Sequence, residues 1–209
     1  MNILLIGATG FLGTRILHEA LNRGHTVTAL VRREHALTPA PNLHIEVADA
    51  SLPSDVARLA TGTDAIIASV SARKPGDTPI PTTIQAIADG ARQAGTPRLF
   101  VVGGAGSLEV APGVALMDAP GFPDAYRTEA EQHGQALAFL RGSDLNWTYL
   151  SPAAEIAPGE RTGTFRLGGN QFFTDAEGRS FITAEDYAVA VLNELEHPQH
   201  ERQRFSIAY

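Results

Sequence analysis

At 209 residues the chain is long enough for one α/β domain and short for two. With 44% hydrophobic and 19% charged residues it has the make-up of an ordinary globule, and a net charge of −7 leaves no basic footprint for DNA or RNA. No cysteine is present, which rules out disulfides, thiolate nucleophiles and zinc–thiolate sites, and no apolar run reaches membrane-spanning length. Nucleic acid and membrane are therefore not expected partners. The first residues enter a strand with no basic leader, so a cytoplasmic location is expected.

Residues 3–6 are an apolar run short enough for a buried strand. Gly7, Gly10 and Gly13 follow at three-residue intervals, and helical periodicity then holds over 14–20. A strand that feeds a glycine-rich turn and then a helix offers free backbone N–H groups and a positive helix end to a phosphate. Gly7 permits the tight turn, Gly10 lets a pyrophosphate approach the backbone, and Gly13 lets helix and strand pack closely. Thr9, Phe11 and Leu12 fill the positions between these glycines and belong to the same expected site.

Ile16, Leu17, Ala20 and Leu21 make one apolar helix face, with Gly24 as its stop. Thr26–Val31 reads as a second strand and Leu43–Val47 as a third. Val56, Leu59 and Ala60 mark a short helix after Pro53, ending near Gly62. Residues 65–70 form a fourth strand, nearly all apolar, as expected for one buried on both faces. A helix carrying Ile84, Ile87, Ala88 and Ala91 closes at Gly95, a fifth strand covers 98–102, a helix spans about 124–140, and a sixth strand covers 147–150. This alternation argues a parallel sheet with helices on both faces.

Two stretches break the rhythm. Residues 105–123 hold three prolines and several glycines with no clear period, and so long a connection in a compact domain reads as a functional loop or lid. Residues 161–183 carry short aromatic strands (Phe165, Phe172, Phe173, Phe181) broken by glycines, after which Thr183 caps a helix with Asp186 three residues on. Residues 204–209 close the chain as a strand, and no repeat or linker divides it, so a single domain over 1–209 is expected.

With Gly7-Ala-Thr-Gly10-Phe-Leu-Gly13 opening these strands, the chain resembles the atypical short-chain dehydrogenase/reductases. It is most similar to the small NAD(P)H-binding proteins named as NADH-flavin reductases, which are relatives of biliverdin reductase B and of NmrA-like proteins. Four segments carry that closer likeness: Val101-Val-Gly-Gly-Ala-Gly-Ser-Leu108, Trp147-Thr-Tyr-Leu-Ser-Pro-Ala153, Pro158-Gly-Glu-Arg-Thr-Gly163 and Glu185-Asp-Tyr-Ala188. The likeness runs end to end. It implies a Rossmann-type α/β fold, a doubly wound parallel sheet with helices on both faces, and a small C-terminal substrate-side region over about 152–209. It further implies a dinucleotide cofactor and a redox role, and it names no substrate and no oligomeric state.

Cofactor choice is argued from residues. Enzymes that prefer the unphosphorylated cofactor place an acid at the end of the second strand to accept from the ribose hydroxyl. Here Arg32 and Arg33 stand there, and Glu34 follows only after them. A guanidinium pairs bidentately with a 2′-phosphate that an acid would repel, so NADP(H) is expected, with NAD(H) as the alternative. Two solvated arginines at a strand end are the plain alternative for the side chains. Fold and resemblance together place Asp49 and Ala50 at the adenine, Ser69 and Val70 beside the phosphate turn, and Gly103 and Gly104 against the nicotinamide, where missing side chains would let the ring lie on the backbone. The resemblance implies a carboxamide contact from Ser151, Pro152 and Ala153.

The usual proton relay is missing. Most relatives protonate a carbonyl oxygen with a tyrosine aided by a lysine four residues later. The tyrosine in the corresponding region is Tyr126, with Ala130 four residues on; the single lysine is Lys74, and the usual serine position is Ala105. Hydride delivery to an isolated ketone leaves an alkoxide that needs an acid, whereas a flavin-like or quinone-like acceptor leaves a delocalised anion. The expected function is thus NADPH-dependent reduction of such a small-molecule acceptor, with a non-catalytic redox sensor of NmrA-like type as the alternative. Tyr126 could stack on an acceptor or pack the lid, and Ser107 could bind the acceptor or only the loop backbone. His197 and His200 have a metal-like spacing but flank Pro198 in a polar stretch, so a solvated loop and no metal are expected. Trp147 and the phenylalanines are expected in the core.

Overall fold

The computed structural model describes residues 1–33 and 37–209, so Glu34 lies outside the described residues. In chain order the elements are β1 (Asn2–Ile6), α1 (Phe11–Asn22), β2 (Thr26–Val31), β3 (Leu43–Val47), α2 (Pro53–Ala60), β4 (Ala65–Ala68), α3 (Ile80–Ala94) and β5 (Leu99–Val102). They continue as β6 (Glu109–Ala111), β7 (Val114–Ala115), α4 (Asp124–Arg141), β8 (Trp147–Ser151), β9 (Glu155–Ala157), β10 (Arg166–Gly168), β11 (Phe181–Thr183), α5 (Ala184–Glu196) and β12 (Gln203–Ala208). The central sheet has eight strands in the order β10-β12-β8-β5-β4-β1-β2-β3. Every neighbouring pair is parallel except β10 with β12, where Arg166–Gly168 runs back against the last strand.

The strand pleat explains the layers. Along β1, Ile3 and Leu5 face a core shared with α1 and α5, through Ile16, Leu17, Tyr187 and Val191. Leu4 and Ile6 point the other way, into a core shared with α2, α3 and α4, through Val56, Ile84, Ile87 and Leu140. Each face of the sheet is thereby covered by helices, and this is the doubly wound Rossmann architecture. Helix ends follow local chemistry: α3 stops where Gly95 takes φ 68°, and Thr183 caps α5 by accepting from the Asp186 N–H at 3.1 Å.

The closing strand expected over 204–209 joins the sheet beside β8 as β12, and β10 widens it by one strand more. Of the aromatic stretch, only β10 and β11 are strands among the described residues. Trp147 is buried, while Phe165 and Phe173 are only partly buried against the core. Among the described residues no helix is long and apolar enough to cross a membrane.

Asp186 ties the segment before β10 to the start of α5. Its buried carboxylate accepts from the Thr162 hydroxyl, from the Gly163 N–H at 2.7 Å and from the Tyr209 hydroxyl at 2.7 Å. Arg161 donates to Glu19 on α1 at 2.7 and 2.8 Å, and Arg23 donates to the same carboxylate at 2.7 Å. The two guanidinium groups hold Glu19 below the usual carboxylate range, hydrogen bonding from Arg161 first, against the opposing effect of burial. The segments Pro158–Gly163 and Glu185–Ala188 thus meet as one polar staple on the α1 side of the sheet.

The β1–α1 turn is the tightest point. A Cβ on Gly7 would lie 1.9 Å from the Ser69 carbonyl oxygen, and its φ of +87° adds backbone strain for any other residue. Gly24 has a similar φ of +80° but nothing within 4 Å of its missing Cβ. Gly7→Ala is therefore expected to cost about 3 kcal/mol or more, and Gly24→Ala only about 1–2 kcal/mol. Urea denaturation midpoints of the two variants check this, and equal costs would show that close approach at Gly7 is unimportant.

Candidate functional site

A cleft runs along the carboxyl ends of the strands, in two cavities that share Gly10, Ser69, Val70 and Ser71. The glycine turn forms its waist. Gly10 N–H donates to Gly7 O at 2.9 Å and Thr14 N–H to Gly10 O at 2.9 Å, closing the turn. Gly10 caps α1 with no side-chain hydrogen bond, and the first turn holds no acid, so the amides of Phe11, Leu12 and Gly13 have no intrahelical partner. A Cβ on Gly10 would meet only Gly7 O, at 3.2 Å, whereas one on Gly13 would sit 1.9 Å from that same oxygen. Gly13 is thus needed for packing, and Gly10 keeps the cleft side of the turn bare. An uncapped helix start facing a bare glycine fits a pyrophosphate.

The first cavity, about 520 Å³, lies over the ends of β1, β2 and β3. Thr9, Arg32, Arg33, Asp49 and Ala50 line it together with Asp77 and Thr78 from the connection after β4. Asp49 is held below the usual carboxylate range by the Ser51 hydroxyl and then the Ser51 N–H, at 2.7 and 2.8 Å. Arg32 donates to Asp77 at 3.4 Å.

The second cavity, about 650 Å³, is walled by Gly103 and Gly104 after β5, by Pro152 and Ala153 after β8, and by the face of α4 carrying Tyr126, Ala130 and His133. Phe11 and Leu12 enter from the turn, and Leu116 and Ala119 to Pro123 cover it. The 105–123 segment holds the β6–β7 hairpin and a short 3-10 turn at Leu116–Asp118, and it borders this cavity through Ala105, Gly106, Leu116 and residues 119–123. Arg127 donates to Met117 O at 2.9 Å and lies over the Phe122 ring, fastening α4 to the lid.

The structure adds detail at three of the expected site residues. The missing side chain of Gly103 makes room for Tyr149, since a Cβ there would meet the Tyr149 ring at 2.1 Å, and the glycine itself lines the second cavity. The Tyr149 hydroxyl accepts from Gly104 N–H at 3.0 Å and donates to His133 O at 3.3 Å, and complete burial pushes its pKa up to about 12. Ser107 does not line either cavity, because both its hydroxyl and its carbonyl accept from Arg204 at 3.0 Å. The Ser151 side chain is wholly buried, lines neither cavity and has no hydrogen-bond partner, while Pro152 and Ala153 do reach the cleft. Tyr126 lines the rim of the second cavity and is 58% exposed.

His133 escaped the sequence reading. Its ring lies against Gly104, whose added Cβ would be 3.0 Å from the ring, and its Nδ1 is buried without a partner. Burial lowers its pKa to about 4, opposed by the charge of Glu129 one turn earlier. A neutral imidazole therefore faces the cleft at physiological pH. The helical spacing of Ala130, His133, Leu137 and Leu140 was the available signal, since it sets this histidine on the buried stripe of α4. Among the described residues no cluster of three His, Asp or Glu side chains suits a metal ion. His200 instead stacks on Phe205 and bonds Glu194 at 2.8 Å.

A family model described as NAD(P)H-binding matches residues 7–198. Three solved structures resemble the chain over its full length. One, from Burkholderia pseudomallei and described as a candidate exported protein, is 45% identical with a TM-score of 0.91 and is itself covered over 100%. A candidate epimerase of Bacteroides thetaiotaomicron is 40% identical, with a TM-score of 0.92 and 96% of its chain covered. A candidate NADH-flavin reductase of Streptococcus pneumoniae is 35% identical, with a TM-score of 0.85 and 99% covered. The three names differ.

Because His133 is neutral in the fold and would protonate near its ordinary pKa when unfolded, its contribution is complete above about pH 6.5 and is lost as pH falls toward 4. The loss amounts to at most about 3 kcal/mol at low pH. Urea midpoints between pH 7 and pH 4.5 should fall for the native chain and fall less for His133→Gln. Parallel slopes would show that His133 titrates normally.

Proposed function

The chain belongs to the NAD(P)H-binding family, and on that footing we propose that it is an NADPH-dependent reductase of a flavin-like or quinone-like conjugated acceptor. One observation carries the reading: the glycine turn opens directly into a roomy, partly apolar cavity whose lining carboxylates are held in ion pairs, Glu129 with Arg73 and Glu155 with Arg179, and whose tyrosine, Tyr126, has no lysine one helical turn on. Ala130 stands one helical turn after Tyr126, Tyr149 is a buried strut, and Lys74 lies in the connection after β4. The NADH-flavin reductase name of the Streptococcus pneumoniae relative agrees with it.

When bound, the dihydronicotinamide supplies a hydride. The chain contributes position, cover and a neutral hydrogen-bond donor. The α1 amides and Gly10 take the pyrophosphate, while Arg32 and Arg33 take the 2′-phosphate of NADPH. Val102, Gly103 and Gly104 form the wall between that turn and α4. Phe122, Pro120 and Tyr126 cover the acceptor and limit water. Neutral His133 can hydrogen-bond a developing anion but carries no imidazolium proton, so the acceptor must delocalise the charge it receives. Fused conjugated rings meet that requirement. Isolated ketones do not.

Purified protein should oxidise NADPH with FMN, FAD or quinones and leave simple ketones untouched. Turnover of ketones alone, or of none of these acceptors, overturns the reading. Gly10→Asp should fold once the turn gives by a few tenths of an ångström, since its Cβ would meet a single atom, Gly7 O at 3.2 Å, and thermal midpoints check this; it should weaken NADPH by at least about tenfold by placing a carboxylate at the pyrophosphate. Arg32→Ala and Arg33→Ala test the cofactor preference. Either should weaken NADPH by about three- to tenfold at fixed salt and leave NADH nearly unchanged. Parallel loss for both cofactors in calorimetric titration would assign the arginines to the surface.

A further inference from the structure

The acid that tunes cofactor choice in this fold ordinarily ends β2, but here the end of β2 carries Arg32 and Arg33. An acid reaches the same cavity from elsewhere. Asp77 sits in the connection between β4 and α3, across from Arg32, and both line the 520 Å³ cavity.

The pair is asymmetric. One Asp77 oxygen accepts from Lys74 N–H at 2.9 Å, and Asp77 N–H donates back to Lys74 O at 3.0 Å, so a tight turn fixes the carboxylate. The other oxygen accepts from Arg32 Nη1 at 3.4 Å. The Asp77 side chain is 17% exposed and that of Arg32 is 76% exposed. The acid is anchored and the base is free to swing. The Lys74 amide, followed by Arg32, holds Asp77 below the usual carboxylate range, so it is charged at neutral pH.

We propose that Asp77 is a specificity-determining residue, which competes with the 2′-phosphate of NADPH for Arg32 and so keeps the preference for NADPH over NADH small. The inference rests on the reading of Arg32 as a 2′-phosphate ligand. A phosphate that recruits Arg32 must draw it from Asp77 and lie near a carboxylate that its own turn prevents from withdrawing. A ribose with a free 2′-hydroxyl meets no such repulsion, and it can donate to the carboxylate. One anchored acid and one mobile base thereby let the cavity take both cofactors.

Asp77→Asn is the informative variant, because the amide oxygen can still accept from Lys74 N–H and preserve the turn. Calorimetric titration of NADPH and NADH should be run on the native protein, Asp77→Asn, Arg32→Ala and the double variant at one salt concentration, with thermal midpoints as a folding control. Asp77→Asn should tighten NADPH by about three- to tenfold and leave NADH unchanged or up to about threefold weaker. In the Arg32→Ala background the gain for NADPH should shrink by at least half, since no guanidinium remains to release. An unchanged NADPH/NADH ratio in Asp77→Asn, with Arg32→Ala still selectively weakening NADPH, overturns this inference and leaves the Arg32 assignment intact. Loss of selectivity in neither arginine nor aspartate variant removes the 2′-phosphate assignment itself. A gain of the same size with and without Arg32 overturns the competition.

Discussion

The close approach of the β1–α1 turn to the end of β4 governs the rest of the structure. Gly7 and Gly13 each stand where a Cβ would fall 1.9 Å from a backbone oxygen, of Ser69 in one case and of Gly7 itself in the other. That contact brings the first helix down onto the strand ends and aims its unpaired amides along the cleft. It also fixes Ser69, whose N–H donates to Ile6 O at 2.9 Å, and with it the start of the connection that carries Arg73 and Asp77. The two cavities share a waist because this one junction is too tight to hold a side chain.

A second strut does the same for the acceptor side. Tyr149 fills the space a Gly103 side chain would take and bridges Gly104 N–H to the His133 carbonyl. The strand end and the α4 helix are thereby held in register through one buried phenol, which lines neither cavity. Cleft width is therefore set from behind, by core packing, while Arg127 and the Phe122 ring hold the cover in front.

Much of this was legible in the sequence because it depends on local signals. The bounds of β2 and β3, the stop at Gly95 and the Thr183 cap follow from periodicity, glycine and capping chemistry, which act within a few residues. What was missed depends on partners far apart in the chain. Ser107 looked available until Arg204, 97 residues on, took both its oxygens. Arg32 was read as a bare cation, and Asp77, 45 residues away, carries no local mark of facing it. Short strands were expected over 161–183, but the antiparallel place of β10 in the main sheet escaped, because three residues of mixed polarity have no readable period and pairing with β12 defines it. His133 differs from these: its helical stripe was visible, but Glu-Gln-His-Gly looks like a solvated surface.

The polar groups at the cleft divide by how firmly they are held, and that division shapes the chemistry open to the site. Tyr149 and His133 are buried, and burial biases each toward its uncharged form. Arg32 is on a strand end with its guanidinium largely in water, and Arg73, also 70% exposed, meets Glu129 at 2.8 Å across the acceptor cavity. Neutral buried groups stand at the back of the second cavity, and exposed cations, each beside a carboxylate, border the two cavities. A site so arranged can recognise charge at its rim by rearranging long side chains at little cost in stability, because exposed ion pairs contribute little. The charges that border the second cavity are spent on each other, Glu129 with Arg73 and Glu155 with Arg179, so under the proposed function little is left for a localised alkoxide and acceptors that disperse the charge themselves are favoured.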